Sequence, residues 1–218
     1  MSHFEPRDRS QIRRIPDRGH YDAATIYDII DEALICHVGF SIDDRPFVLP
    51  MIHARDEDRL LFHGAKASRM LKHFQGGLDI CVTITLLDGL VLARSVFHHS
   101  MNYRSVVIFG TGSIIEDPGE KLRGLELLTE HLIPGRWQDA RLPSEKEMNA
   151  TTLVSMRIEE ASAKIRSGPP GDDEEDYELQ IWAGVLPIRQ QILDPVAGDR
   201  ISEGIPVPDY VRSFVRMR

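Results

Sequence analysis

The sequence predicts an α+β domain built on an antiparallel barrel of six to seven strands, flanked by helices. Three observations predict it. About seven short apolar runs with strand spacing follow one another between Leu34 and Ile165, separated by turn signals. Helical spacing is confined to a few segments at the margins of that series. No internal repeat, low-complexity domain or linker divides the chain. The expected organisation is an N-terminal arm over residues 1–20 and a single domain over 21–218.

The arm is polar and holds five arginines, Arg7, Arg9, Arg13, Arg14 and Arg18, the pattern of a solvated segment or one that packs on a partner subunit. Tyr21 to Ala33 follows with Ile26, Ile29, Ile30 and Ala33 at helical spacing, and Asp22 is placed to cap it. Leu34–Ile42 and Phe47–Ala54 flank the turn Asp43-Asp44-Arg45-Pro46 as a hairpin. Asp56-Glu57-Asp58 makes the next turn and Arg59–His63 the third strand. A helix is expected from Ala67 to Phe74, stopped by Gly76-Gly77. Leu78–Leu87, Leu90–Phe97 and Ser105–Glu116 read as further strands. Pro118 to Leu132 reads as a helix with Leu122, Leu125, Leu128 and Leu132 on one stripe, and Glu145–Ala150 as a short one. Thr152–Ile165 alternates as one more strand. Beyond it lie the acidic loop Ser167–Asp176, Trp182-Ala-Gly-Val-Leu-Pro187, an apolar run at Ile188–Leu193 and a Pro-rich tail.

Bulk composition narrows the function. The chain has 218 residues, 42% hydrophobic and 28% charged, enough for a sizeable core. Its formal net charge of −8 disfavours nucleic acid and anionic membrane as partners, so any anion site must be a local pocket. The two cysteines, Cys36 and Cys81, sit in apolar runs and read as buried free thiols. The N-terminus lacks the apolar core of a signal peptide, and no run reaches membrane-spanning length, so a cytoplasmic location is expected.

The densest chemistry lies in Arg59-Leu-Leu-Phe-His-Gly-Ala-Lys-Ala-Ser-Arg69, a strand running through a turn into a helix. Lys66, Ser68 and Arg69 fall at the start of that helix, where unpaired N–H groups and the positive dipole end suit an anion such as a phosphate. The order of residues is neither that of a Walker P-loop nor that of a Rossmann turn. A solvated basic helix start is the plain alternative. His37, His53, His63, His73, His98 and His99 are scattered without metal-ligand spacing. His63 ends its strand just before the anion turn, either as a satisfied structural histidine or as a donor beside a ligand. No nucleophile elbow is present, and Ser68 or Ser105 lacks a visible base. Tyr103-Arg104-Ser105 either caps a sheet edge or adds donors to a ligand. Trp182 is either a packing residue or a cover for an aromatic ring.

Four segments in order carry a resemblance. They are Val48-Leu-Pro-Met-Ile-His53, Phe62-His-Gly-Ala-Lys-Ala-Ser-Arg69, Asn102-Tyr-Arg-Ser-Val-Val-Ile-Phe-Gly110 and Trp182-Ala-Gly-Val-Leu-Pro187. Together they resemble the pyridoxamine 5′-phosphate oxidase-like flavoproteins with an FMN-binding split β-barrel, and within them the nitroimidazole-resistance-like branch. The resemblance implies FMN at the interface of a homodimer. Lys66, Ser68 and Arg69 would hold its phosphate. The backbone of Leu49, Pro50, Met51 and Ile52 would line the flavin edge, with Phe62 and His63 along the ring. Arg104 and Ser105 would come from a neighbouring strand, of the other subunit, and Trp182 from the C-terminal segment. Val185–Gln191 carries only Arg189 as a cation, which argues against a phosphorylated pyridoxamine substrate.

The leading expectation is thus an FMN-dependent oxidoreductase reducing a small electrophilic substrate, with His63 as the candidate acid–base residue. The alternatives are a flavin-binding module without turnover, and a split barrel that binds haem, through His63, His98 or His99, or a deazaflavin.

Overall fold

The computed structural model describes residues 3–66, 68, 70 and 77–214. Nine strands form one antiparallel sheet. They are β1 (Gly19–His20), β2 (Ile35–Ile42), β3 (Arg45–Asp56), β4 (Arg59–Ala65), β5 (Leu78–Leu92), β6 (Ser100–Ile114), β7 (Thr151–Arg157), β8 (Glu160–Arg166) and β9 (Gly184–Pro187). The described helices are α1 (Ala23–Glu32), α2 (Pro118–Leu132), α3 (Glu145–Ala150) and α4 (Asp209–Arg212).

Six strands close a ring in the order β6-β7-β4-β3-β2-β5, with β5 pairing back onto β6. This is the expected antiparallel barrel. β8 and β1 branch from β6, and β9 adds to β5. Local sequence sets several joints. Asp43 and Asp44 both take positive φ, of 49° and 58°, in the two-residue loop between Ile42 and Arg45. That is the backbone twist a tight hairpin needs, and Asp tolerates it better than most residues. Asp22 caps α1 by accepting from Thr25 N at 2.8 Å, and Asp117 caps α2 by accepting from Glu120 N at 2.7 Å.

Three boundaries differ from the sequence reading. The run 78–97 is not two strands; β5 continues to Leu92, with a register shift between Leu87 and Gly89 that absorbs the Asp88-Gly89 signal as an irregularity. The run 152–165 is two strands, because the chain turns at Ile158-Glu159 without a Gly or Pro to mark it. β6 begins at Ser100, five residues before the expected Ser105.

The main core fills the ring with Val38, Phe62, Val82, Ile84, Val106, Ile108, Val154 and Met156, and α1 adds Ile26, Ile29 and Ile30. Period-2 alternation puts the other face of β4 and β7 outside the ring. There Leu61 and Leu153 meet Leu128 of α2 in a second cluster with Ala54 and Ile115. Gly124 permits this approach: a Cβ at that position would lie 2.3 Å from Leu153 Cδ2. The arm lies against the sheet. β1 pairs with Lys164 and Ala163, Arg9 bonds Glu160 at 3.1 Å, and Lys164 Nζ donates to Arg14 O. No described helix is long and apolar enough to cross a membrane.

Candidate functional site

A cavity of about 320 Å³ opens between the outer face of β4 and α2. Ile52, Leu125, Leu128, Leu132, Trp137 and Pro143 supply its apolar wall, and His63, Thr129, Arg141 and Glu147 its polar groups. His63 stands on the same face of β4 as Leu61, two residues earlier, and so points away from the ring. Its Nδ1 is buried and has no hydrogen-bond partner among the described residues. Burial pushes its pKa below the ordinary histidine value, which keeps the imidazole neutral at pH 7. A neutral imidazole on a cavity wall can ligate a metal through a ring nitrogen that the cavity reaches; Nδ1, closed off from solvent, is not that nitrogen.

The rim opposite is organised by α3. Ser144 caps it, and Ser144 N donates to the Glu147 carboxylate at 2.7 Å. Glu147 also accepts a bidentate pair from Arg141, at 2.8 and 3.0 Å. First that pair, then the Ser144 bonds, pull the Glu147 pKa down to about 2.

The predicted site residues fall in distinct places. Phe62, next to His63, is fully buried in the ring core, so only its backbone is left for a ligand. Lys66 is exposed, its N–H donating to Ala150 O at 2.9 Å, and Ser68 N donates to Ala65 O at 2.8 Å. Arg69 lies outside the described residues, as does the expected helix 67–74 apart from Ser68 and Met70. Leu49, Pro50, Met51 and Ile52 lie on the half of β3 that pairs with β2 alone; β4 takes over only from His53. One edge of β3 over residues 48–52 therefore faces no strand among the described residues. Val48, Leu49 and Ile52 are exposed there.

Arg104 is engaged by its own chain. Nε and Nη2 donate to Asp88 at 3.0 and 2.8 Å, and both Nη atoms reach Glu32. The Asp88 bonds, then those of Glu32, raise its pKa beyond the already high arginine value. Ser105 Oγ donates to Lys164 O at 3.2 Å. Trp182 is exposed and leans over Gly184, where a Cβ would come within 2.8 Å of the ring. The chain thus brings His63 and Ile52 to one cavity, and holds Arg104, Ser105 and Trp182 on other elements. Of the other histidines, His98 pairs with Asp173 at 3.2 Å and His99 Nδ1 lies 3.0 Å from Ser95 O, so His63 alone of the three keeps a buried nitrogen unpaired. The sequence reading missed Trp137, Arg141 and Glu147. The capping pattern Ser144-x-x-Glu147 was the one local signal at hand.

A six-strand antiparallel ring with an open strand edge and a histidine-bearing cavity under a lateral helix defines a small-molecule or cofactor-binding barrel. The profile of the pyridoxamine 5′-phosphate oxidase family matches residues 22–165, and the chain belongs to that family. Among solved structures it is similar to the flavocytochrome Anf3 from Azotobacter vinelandii, with 40% identity over 97% of this chain and 99% of that one, and a TM-score of 0.92. It is also similar to the FAD and haem binding protein from Mycobacterium smegmatis, with 33% identity over 89% and 96% of the two chains and a TM-score of 0.86. A 5-nitroimidazole antibiotic resistance protein from Bacteroides thetaiotaomicron shares the fold at 24% identity over 66% of this chain and 84% of that one, with a TM-score of 0.56. No curated protein matches.

Proposed function

We propose that this chain is a homodimeric redox protein that binds a flavin and a haem, with His63 as the haem iron ligand. The observation that carries the reading is His63, a half-buried imidazole on the wall of a largely apolar cavity. The donor fits the group: a neutral imidazole nitrogen is a standard axial ligand, and the apolar wall suits a porphyrin face. The cavity is small for a ligand pocket, so it suits one part of a larger planar group. The names of the two relatives that match over most of their length support the pairing of cofactors.

The flavin is assigned to the open edge of β3, where the backbone of residues 49–52 offers hydrogen-bonding groups, with its phosphate at Lys66, Ser68 and Arg69. Its FMN portion is what this anchor grips; the Mycobacterium smegmatis relative favours FAD as the whole cofactor. Exposed apolar side chains beside that edge, Ile35, Val48, Leu49 and Ile52, support a second copy as their cover. When bound, the two groups supply electron transfer, and the chain supplies ligation, orientation and exclusion of water. A small-molecule electron acceptor is the expected substrate.

The absorption spectrum of the purified protein tests the reading. Flavin bands together with a Soret band are expected, with the Soret lost and the flavin kept in His63→Ala. A Soret band that survives unchanged in His63→Ala, or no uptake of added haem, overturns it. Chromatography of the released flavin decides between FAD and FMN, and sedimentation reads the dimer.

A further inference from the structure

We propose that Arg141 is the specificity residue of the His63 cavity: it receives a carboxylate of the bound haem. This rests on the haem reading above. The cavity is amphipathic, with six apolar side chains on its wall, His63 at one side and the exposed Arg141 at its rim. A ligand that satisfies all of it has a flat apolar body, an atom for imidazole nitrogen and an anionic edge.

The guanidinium is set up for that edge. Arginine has five N–H donors in a fixed fork. Nη1 donates to Leu142 O at 2.8 Å and to Glu147 Oε2 at 3.0 Å, and Nη2 donates to Glu147 Oε1 at 2.8 Å. That leaves Nε–H and the second Nη2–H. The two lie parallel on one side of the fork, and neither has a hydrogen-bond partner among the described residues. This side is the geometry that takes a carboxylate through two bonds.

Glu147 does not compete for it. Its carboxylate is held from behind by Ser144 N at 2.7 Å and Ser144 Oγ at 2.9 Å, so it fixes the fork rather than following it. Lys121 also reaches α3, its Nζ donating to Met148 O at 2.5 Å. Its pKa is lowered by burial and then by the charge of Lys66, which places both cations in the neighbourhood of α3.

Soret titrations with haem and with its dimethyl ester, in which both propionates are capped, test the proposal. The wild type should bind haem about tenfold more tightly than the ester, a modest factor because the site is exposed. Arg141→Ala should lose that preference, binding both ligands as weakly as the wild type binds the ester, while its flavin content and melting temperature stay unchanged. Arg141→Lys should recover part of the preference, through charge without the fork. Equal affinity of the wild type for haem and ester overturns the carboxylate site and leaves the haem reading standing. So does an Arg141→Ala protein that keeps the preference. A wild type that takes up neither ligand overturns the haem reading and this proposal together.

Discussion

Gly124→Ala tests the packing that builds the cavity. In an exposed helix the change would stabilise, since alanine is better than glycine in a helix interior by about 1 kcal/mol. Here the new Cβ would stand 2.3 Å from Leu153 Cδ2 and 3.5 Å from Leu61 Cδ1. Carbon atoms rest about 3.5–4.0 Å apart, so something must move by more than about 1 Å. Leu153 cannot swing into solvent, being fully buried between β7 and α2. Overpacking of this kind costs about 1–3 kcal/mol, which exceeds the propensity gain. The expected net is a loss of about 1 kcal/mol in urea unfolding. A double-mutant cycle isolates the cause. In a Leu153→Ala background the clash is gone, and Gly124→Ala should turn neutral or stabilising, a coupling of about 1–3 kcal/mol. If Gly124→Ala stabilises the wild type by about 1 kcal/mol, with no coupling to Leu153, then α2 does not pack where this argument puts it.

Acid should weaken the fold through His63. Its folded pKa is depressed by burial, so the unfolded chain takes up this proton first; the stability gap between wild type and His63→Gln should be constant well above the unfolded value of about 6.5, turn against the wild type as pH falls from there toward the folded pKa, and level off below it. Arg104→Ala should cost about 1–3 kcal/mol by removing the charged donors that both Glu32 and Asp88 accept from. If Arg104 serves only its own chain, flavin affinity in that variant should match the wild type; a large loss would return it to the flavin site. Replacing Lys66 and Arg69 together by Ala should weaken FMN far more than riboflavin, measured by fluorescence titration, and an equal loss for both would mean they act through folding. Cys36, its pKa pushed up to about 12 by burial, should resist a thiol reagent at pH 8 in the native protein and react only on unfolding.

Local signals were legible where the chain states its own boundaries. Asp117-Pro118 and Ser144-x-x-Glu147 are cap signals that need no tertiary context, and both helices fall where those residues place them. The turn at Ile158-Glu159 was not legible, because Ile158 belongs to the core pattern on either side of it and no punctuating residue interrupts the alternation. Ring closure, through β2–β5, β4–β7 and β6–β7, depends on pairings that no local window contains. The site divides in the same way. His63 stood out by its position before the anion turn. Its neighbours Trp137, Arg141 and Glu147 arrive from the far side of α2, and only the fold brings them to it.

What ties the readable part to the unreadable part is the alternation of β4. Leu60 and Phe62 face the ring core, while Leu61 and His63 face α2. A strand slipped by one residue would exchange the two sets at once. His63 would then carry an imidazole into the ring interior, and Phe62 would take the cavity wall. The register that buries Phe62 is therefore the register that presents His63. It is held from both sides, by β3 through His53↔Phe62 and by β7 through Phe62↔Val154 and His63↔Leu153. The side chains that fill the barrel and the histidine that lines the cavity are two faces of one four-residue strand segment, Leu60 to His63. Selection on either one preserves the other.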